Sequence, residues 1–152
     1  DCSHLNDAGF EDLLNCSAKP FVASHSNLRA LCSHSRNLRD DQFKEIVARG
    51  GLCGINVHSK FLSEPDDLGA GQKEQLLRLI DRMLELGGED VIAWGMDLDG
   101  GVTCDPSIGT PYGGAAYGEY LVEHGICRKI VDKLSFDNAY RFFTKDQKRC
   151  NS

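Results

Sequence analysis

The sequence predicts an α/β fold of the β/α-barrel kind, with parallel strands. Three observations carry this. Short apolar runs alternate with amphipathic helical segments along the chain. The runs are continuous rather than alternating with polar residues, as in strands buried on both faces. Polar, metal-capable side chains stand at or just past their ends: His4, His25, His58 and Asp97. A β/α barrel gathers its active site at that rim.

The elements follow in order. Residues 1–4 read as the tail of a further strand. Residues 7–16 space their apolar positions as a helix does, with Asn6 or Asp7 as its cap. Residues 20–25 form the first full strand, and 26–38 a polar loop without period. A helix over 39–49 puts Phe43, Ile46 and Val47 on one face, and Gly50 and Gly51 stop it. Residues 52–57 form the second strand. A loop with Pro65 and two aspartates leads to the longest helix, about 70–86. Its apolar stripe is Leu76, Leu77, Ile80, Met83 and Leu84; Gly87 and Gly88 end it. Residues 91–94 form the third strand. Residues 98–114 are rich in Gly and Pro, and short helices follow near 115–124, 127–134 and 136–143. No Gly-rich phosphate loop follows any strand, which argues against nucleotide binding.

Residues 1–152 read as a single segment, long enough for a sizeable core. Hydrophobic residues at 41% and charged residues at 26% are ordinary for a soluble globular protein. The net charge of -6 argues against sequence-independent binding to nucleic acid, which needs Lys and Arg against phosphates. Lys145, Lys148 and Arg149 read as a solvated tail. The seven cysteines are odd in number, widely spaced and without a Cys-x-x-Cys pair. That pattern predicts neither a disulfide framework nor a zinc knuckle, and it fits a reducing compartment. With no membrane-length apolar run and no leader in view, the expected location is cytoplasmic.

Chemistry concentrates at the predicted strand ends. Adjacent parallel strands lie about 4.8 Å apart, so His4 and His25, leaving the same rim, can share one zinc ion. Asp97 and Asp99 flank Leu98 after the third strand. Asp97 is the candidate for metal or proton work, whereas Asp99, followed by two glycines, reads as turn chemistry. Arg36 and Asn37 sit in the loop after His25, and a guanidinium fork there can hold a substrate carboxylate. His58 is placed to line the same pocket. His34 and His124 are expected to be exposed.

Six segments resemble the renal (membrane) dipeptidase family, in the same order. They are residues 1–10 (DCSHLNDAGF), 23–32 (ASHSNLRALC), 35–38 (SRNL), 54–58 (GINVH), 95–100 (GMDLDG) and 137–143 (DNAYRFF). The resemblance implies a zinc-dependent dipeptidase on a TIM-type (β/α)8 barrel with two zinc ions in the intact site, this chain corresponding to the carboxyl-terminal half of the barrel. It matches His4 and His25 to the histidines of the second zinc. It matches Arg36 to the residue that holds the substrate's terminal carboxylate, and Asp97 to the aspartate that handles the proton of the attacking water. His58 stands where relatives often carry a substrate-contacting tyrosine. The family's first zinc uses a His-x-Asp motif, and a glutamate bridges the two ions. No His-x-Asp occurs here, so at most one zinc is expected from this chain alone. The expected partners are a small dipeptide and either a second copy or a separate amino-terminal half-barrel. The rival expectation is a truncated or split half-barrel without turnover, acting as a metal-binding or assembly partner.

Overall fold

The computed structural model describes residues 1–62 and 71–145. Helix α1 spans Asp7–Cys16, strand β1 Val22–Ala23, helix α2 Asp40–Ala48 and strand β2 Leu52–Ile55. Helix α3 spans Gln72–Glu85, strand β3 Ile92–Trp94 and helix α4 Gly113–Glu123. Helix α5 (Arg128–Asp132), a π turn (Lys133–Asp137) and helix α6 (Asn138–Thr144) follow without a break in helical dihedrals. The two helices expected near 127–134 and 136–143 are therefore one continuous rod. No Pro or Gly interrupts that run, so nothing breaks the backbone ladder. The expected loop around Pro65 lies outside the described residues, as do Lys148 and Arg149.

The sheet is parallel, in the order β1-β2-β3. Its β2 residues are all buried, as the continuous apolar run implied. The first strand is much shorter than the expected 20–25. Pro20 has no N–H to give to a ladder. At the other end, the N–H groups of Ser24 and His25 leave the ladder for the Asp1 carboxylate (3.1 Å) and the Ser3 hydroxyl (2.9 Å). The Cys2 N–H donates to the Val22 carbonyl at 2.8 Å, so residues 1–4 do lie along β1 as the tail of a strand would.

Helices α2 and α3 pack their apolar faces onto the sheet. Phe43 and Ile46 from α2, and Leu76, Leu79, Ile80 and Met83 from α3, are at most 1% exposed and meet Cys53, Ile55 and Ile92 of the sheet. Each such side chain contributes about 1.5–3 kcal/mol by leaving water. The stripe of α3 is rotated slightly from expectation: Leu79 is buried, and Leu77 and Leu84 are half-buried. Gly87, with φ 88°, turns the chain out of α3 in the left-handed conformation that favours glycine.

Two glycines set the curvature of the sheet. A Cβ placed on Gly54 or on Gly95 would come within 2.0 Å of the Ser24 carbonyl oxygen. Ser24 follows β1, Gly54 lies in β2 and Gly95 follows β3. The ends of the outer strands therefore meet across the middle strand, over positions that carry no side chain. That curl is the barrel-like feature of the sheet, and it brings the three strand ends to one place.

Candidate active site

His25, His58 and Asp97 lie two, three and three residues beyond β1, β2 and β3, all at the carboxyl rim. His4 reaches the same rim from the segment bonded to β1. The Nε2 atoms of His4 and His25 stand 2.9 Å apart. The sequence placed these two histidines together, and the structure brings their nitrogens edge to edge.

A hydrogen-bond chain behind His25 sets its tautomer. The Ser24 hydroxyl donates to the Asp1 carboxylate, which can only accept. The same hydroxyl oxygen lies 2.7 Å from His25 Nδ1, so it receives the Nδ1 proton. His25 Nε2 is left with its lone pair toward His4. This is the arrangement by which outer partners orient metal-binding imidazoles. Burial pushes the His25 pKa below its ordinary value, and the nearby His4 and Arg36 push the same way, while Asp97 opposes them. A neutral imidazole is the form that binds metal.

The pair fits a metal ion. Two imidazole nitrogens on one tetrahedral zinc sit roughly 3.3 Å apart, given zinc–nitrogen bonds of about 2.0–2.1 Å. The observed separation is within a few tenths of an ångström of that. Among the described residues, no group of three or more His, Cys, Asp or Glu side chains is placed to hold a metal. The described residues bring two imidazole nitrogens together at this point.

Arg36 lies against this pair. Its Nη2 is 3.4 Å from His4 Nε2, and its Nε donates to the Ser3 carbonyl at 3.3 Å. Its guanidinium stands 5.7 Å from the centre of the Phe61 ring. The fork is thus held at the rim by contacts on one side. His58 touches the same ring, 4.8 Å between centroids. The Thr103 N–H and the Thr103 carbonyl oxygen both lie 3.2 Å from His58 Nδ1, so the ring is tied to Thr103 through that nitrogen. His34 also lies on Phe61, at 4.7 Å, and is exposed as expected, like His124.

Asp97 sits on the far side, at φ 60°. Asp tolerates this left-handed conformation better than most residues, at a cost on the order of 1 kcal/mol. Its carboxylate accepts from Asn56 Nδ2 at 3.3 Å. Asp99 lies in an exposed turn, as expected.

Asn37 is placed differently from the expectation that it contacts substrate. It is 2% exposed, and its Nδ2 donates to the carbonyls of Cys32 and Phe61, both at 2.9 Å. A side chain enclosed in this way braces the loop that carries Arg36. Sequence reasoning gave no role to Asp1, Ser3, Ser24, Asn27, Asn56 or Phe61. The one legible signal among them was Asn56, a polar residue inside an apolar run, which must find partners when buried. Among the described residues, no disulfide joins the six cysteines.

The family model described as Membrane dipeptidase (Peptidase family M19) matches residues 1–151. The chain is 33% identical over 147 residues to the protein in the pqqA 5′ region of Klebsiella pneumoniae, covering 93% of this chain and 52% of that protein. Among solved structures it is similar to the dipeptidase AC, a metallopeptidase, with a TM-score of 0.85 at 34% identity. That match covers 95% of this chain and 43% of the other. A metallopeptidase from Rhodobacter sphaeroides, liganded with a phosphinate mimic of the dipeptide L-Ala-D-Ala, gives a TM-score of 0.84 at 35% identity. Here the coverage is 93% and 40%. The chain spans about half the length of the relatives it matches.

Proposed function

This chain belongs to the membrane dipeptidase family, and from that premise we propose that its carboxyl rim serves zinc-dependent hydrolysis of dipeptides. The observation that carries the reading is the convergence of His4 and His25 at 2.9 Å, with Arg36 beside them and Asp97 across the same rim.

His4 and His25 are the residues that would hold the ion. When bound, zinc lowers the pKa of a water to about 7 and polarises a carbonyl. The remaining work falls to this chain's own groups. Asp1 and Ser24 keep the lone pair of His25 Nε2 directed at the site. Arg36 binds the terminal carboxylate of the substrate through its fork and so sets the distance from that carboxylate to the scissile bond. The Asp97 carboxylate takes the proton of the attacking water and returns it to the leaving amine. His58 presents its ring to the substrate from the segment after the second strand. The phosphinate mimic of L-Ala-D-Ala held by the Rhodobacter sphaeroides relative supports a dipeptide as the substrate class.

A second reading is a metal-binding chain that turns over only with a partner, whether a second copy or an amino-terminal half-barrel. The two-ligand set among the described residues favours it. One experiment separates the readings. The purified chain is given zinc and L-Ala-D-Ala, and free alanine is measured with and without a chelator. Chelator-sensitive release is the expected outcome. Zinc binding at the histidine pair without release supports the second reading, and native mass then reports whether a dimer forms.

A further inference from the structure

We propose that Asn56 is the positioning residue for Asp97, an inference that rests on the dipeptidase reading of the rim. Asn56 is fully buried, 0% exposed, just past the end of β2. Its backbone is locked by a second buried asparagine. The Asn56 N–H donates to Asn27 Oδ1 at 3.0 Å, and Asn27 Nδ2 donates to the Asn56 carbonyl at 2.9 Å. Its side-chain oxygen is used as well, accepting from the His58 N–H at 2.7 Å. The amide is thereby held with its nitrogen toward Asp97, whose Oδ2 lies 3.3 Å away.

Asp97 needs such a hold. It is exposed and sits in the left-handed region, where a single residue has few neighbours to define its rotamer. A Cβ on Gly100 would lie 2.3 Å from Asp97 Oδ1, so the absence of a side chain there gives the carboxylate its room. The Asn56 amide supplies the directional contact. A buried residue just past β2 thus fixes an exposed loop carboxylate against the rim, and Asn27, two residues after His25, holds the backbone N–H and carbonyl of that same residue. The arrangement links the loop that carries Asp97 to the segment that carries His25 through two neutral side chains.

Asn56→Asp is the sharpest variant. It keeps the size and the acceptor for the His58 N–H, but replaces the donor to Asp97 with a repelling oxygen. The expected result is a fall in kcat of roughly 10–100-fold, with KM for the dipeptide within about threefold of the parent. Unchanged kcat in a folded variant, beside an active parent, overturns the proposal and leaves the dipeptidase reading intact. A second measurement does not depend on turnover. In the parent chain, the Asn56 side-chain amide signals in a nitrogen–proton NMR spectrum should move when Asp97 is replaced by Gly, a residue suited to φ 60°. Signals that stay in place show that the contact is not made in solution, and the proposal fails. An inactive parent with shifting signals instead counts against the activity and for the positioning contact.

Discussion

At the scale of single residues, the rim divides its work among side chains of different exposure. His25 is half-buried, which pushes its pKa down, His4 is exposed beside it, and Arg36 lies against His4. Arg36 has its Nε committed to the Ser3 carbonyl, so its position comes from the backbone rather than from a carboxylate partner. A guanidinium held this way is ready for a substrate carboxylate without first breaking an ion pair. Arg36→Ala should therefore raise KM for dipeptides by about 10–100-fold, since a hydrogen bond to a charged group contributes roughly 1.5–3 kcal/mol. An unchanged KM in a steady-state assay would remove Arg36 from the substrate site. Arg36 and His25 were legible from their sequence neighbourhoods. Ser24 and Asp1 were not, because their role depends on a contact across 23 positions that no local pattern encodes.

At the scale of elements, helix α1 shows how one carboxylate can fix a helix to both a loop and a second helix, α2. Asn6 caps it, its side chain accepting from the Gly9 N–H at 2.8 Å. That settles the choice between Asn6 and Asp7, and frees Asp7 for ion pairing. Asp7 receives both arms of Arg29 at 2.7 and 2.8 Å, the Gln42 amide at 3.1 Å and Arg39 at 3.2 Å. The Arg29 hydrogen bonds, with help from Gln42 and Arg39, hold the Asp7 carboxyl far below the usual range. The sign follows from linkage: the unfolded chain binds a proton here at higher pH than the folded one. Stability from this group is complete above its ordinary pKa of about 3.9 and is lost as pH falls below it. Asp7→Asn should flatten the fall of stability between about pH 5 and 3, read as the urea midpoint against pH. A fall as steep as that of the parent would place the acid sensitivity elsewhere. The pair is partly exposed, so its worth at neutral pH stays modest.

At the scale of the whole molecule, the curl of the sheet is the decisive feature. Strand ends that belong to β1, β2 and β3 share one rim because Gly54 and Gly95 let Ser24 approach. Gly95→Ala would drive a methyl into the Ser24 carbonyl and force the strand ends apart. The expected cost is about 3 kcal/mol or more, measured by denaturant unfolding, with weakened zinc binding at His4 and His25. A variant as stable as the parent would mean that the sheet opens without resistance. No helix among the described residues is long and apolar enough to cross a membrane.

The sequence by itself determined the class of the fold and most of the rim. Continuous apolar runs between amphipathic helices can be satisfied only by a parallel sheet with covered faces, and polar residues at run ends must emerge together. Periodicity located α2 and α3 to within two residues, because burial on one face imposes it. Only the tertiary structure decided how long β1 is, since Asp1 and Ser3 take the N–H groups that would have extended it. It alone turned Asn37 from a ligand contact into a buried brace. It alone joined Asn27, Asn56 and Asp97, whose hydrogen bonds run between strands. Local pattern reports which face of an element is buried; contacts between distant segments, which fix tautomers and aim carboxylates, appear only once the chain has folded.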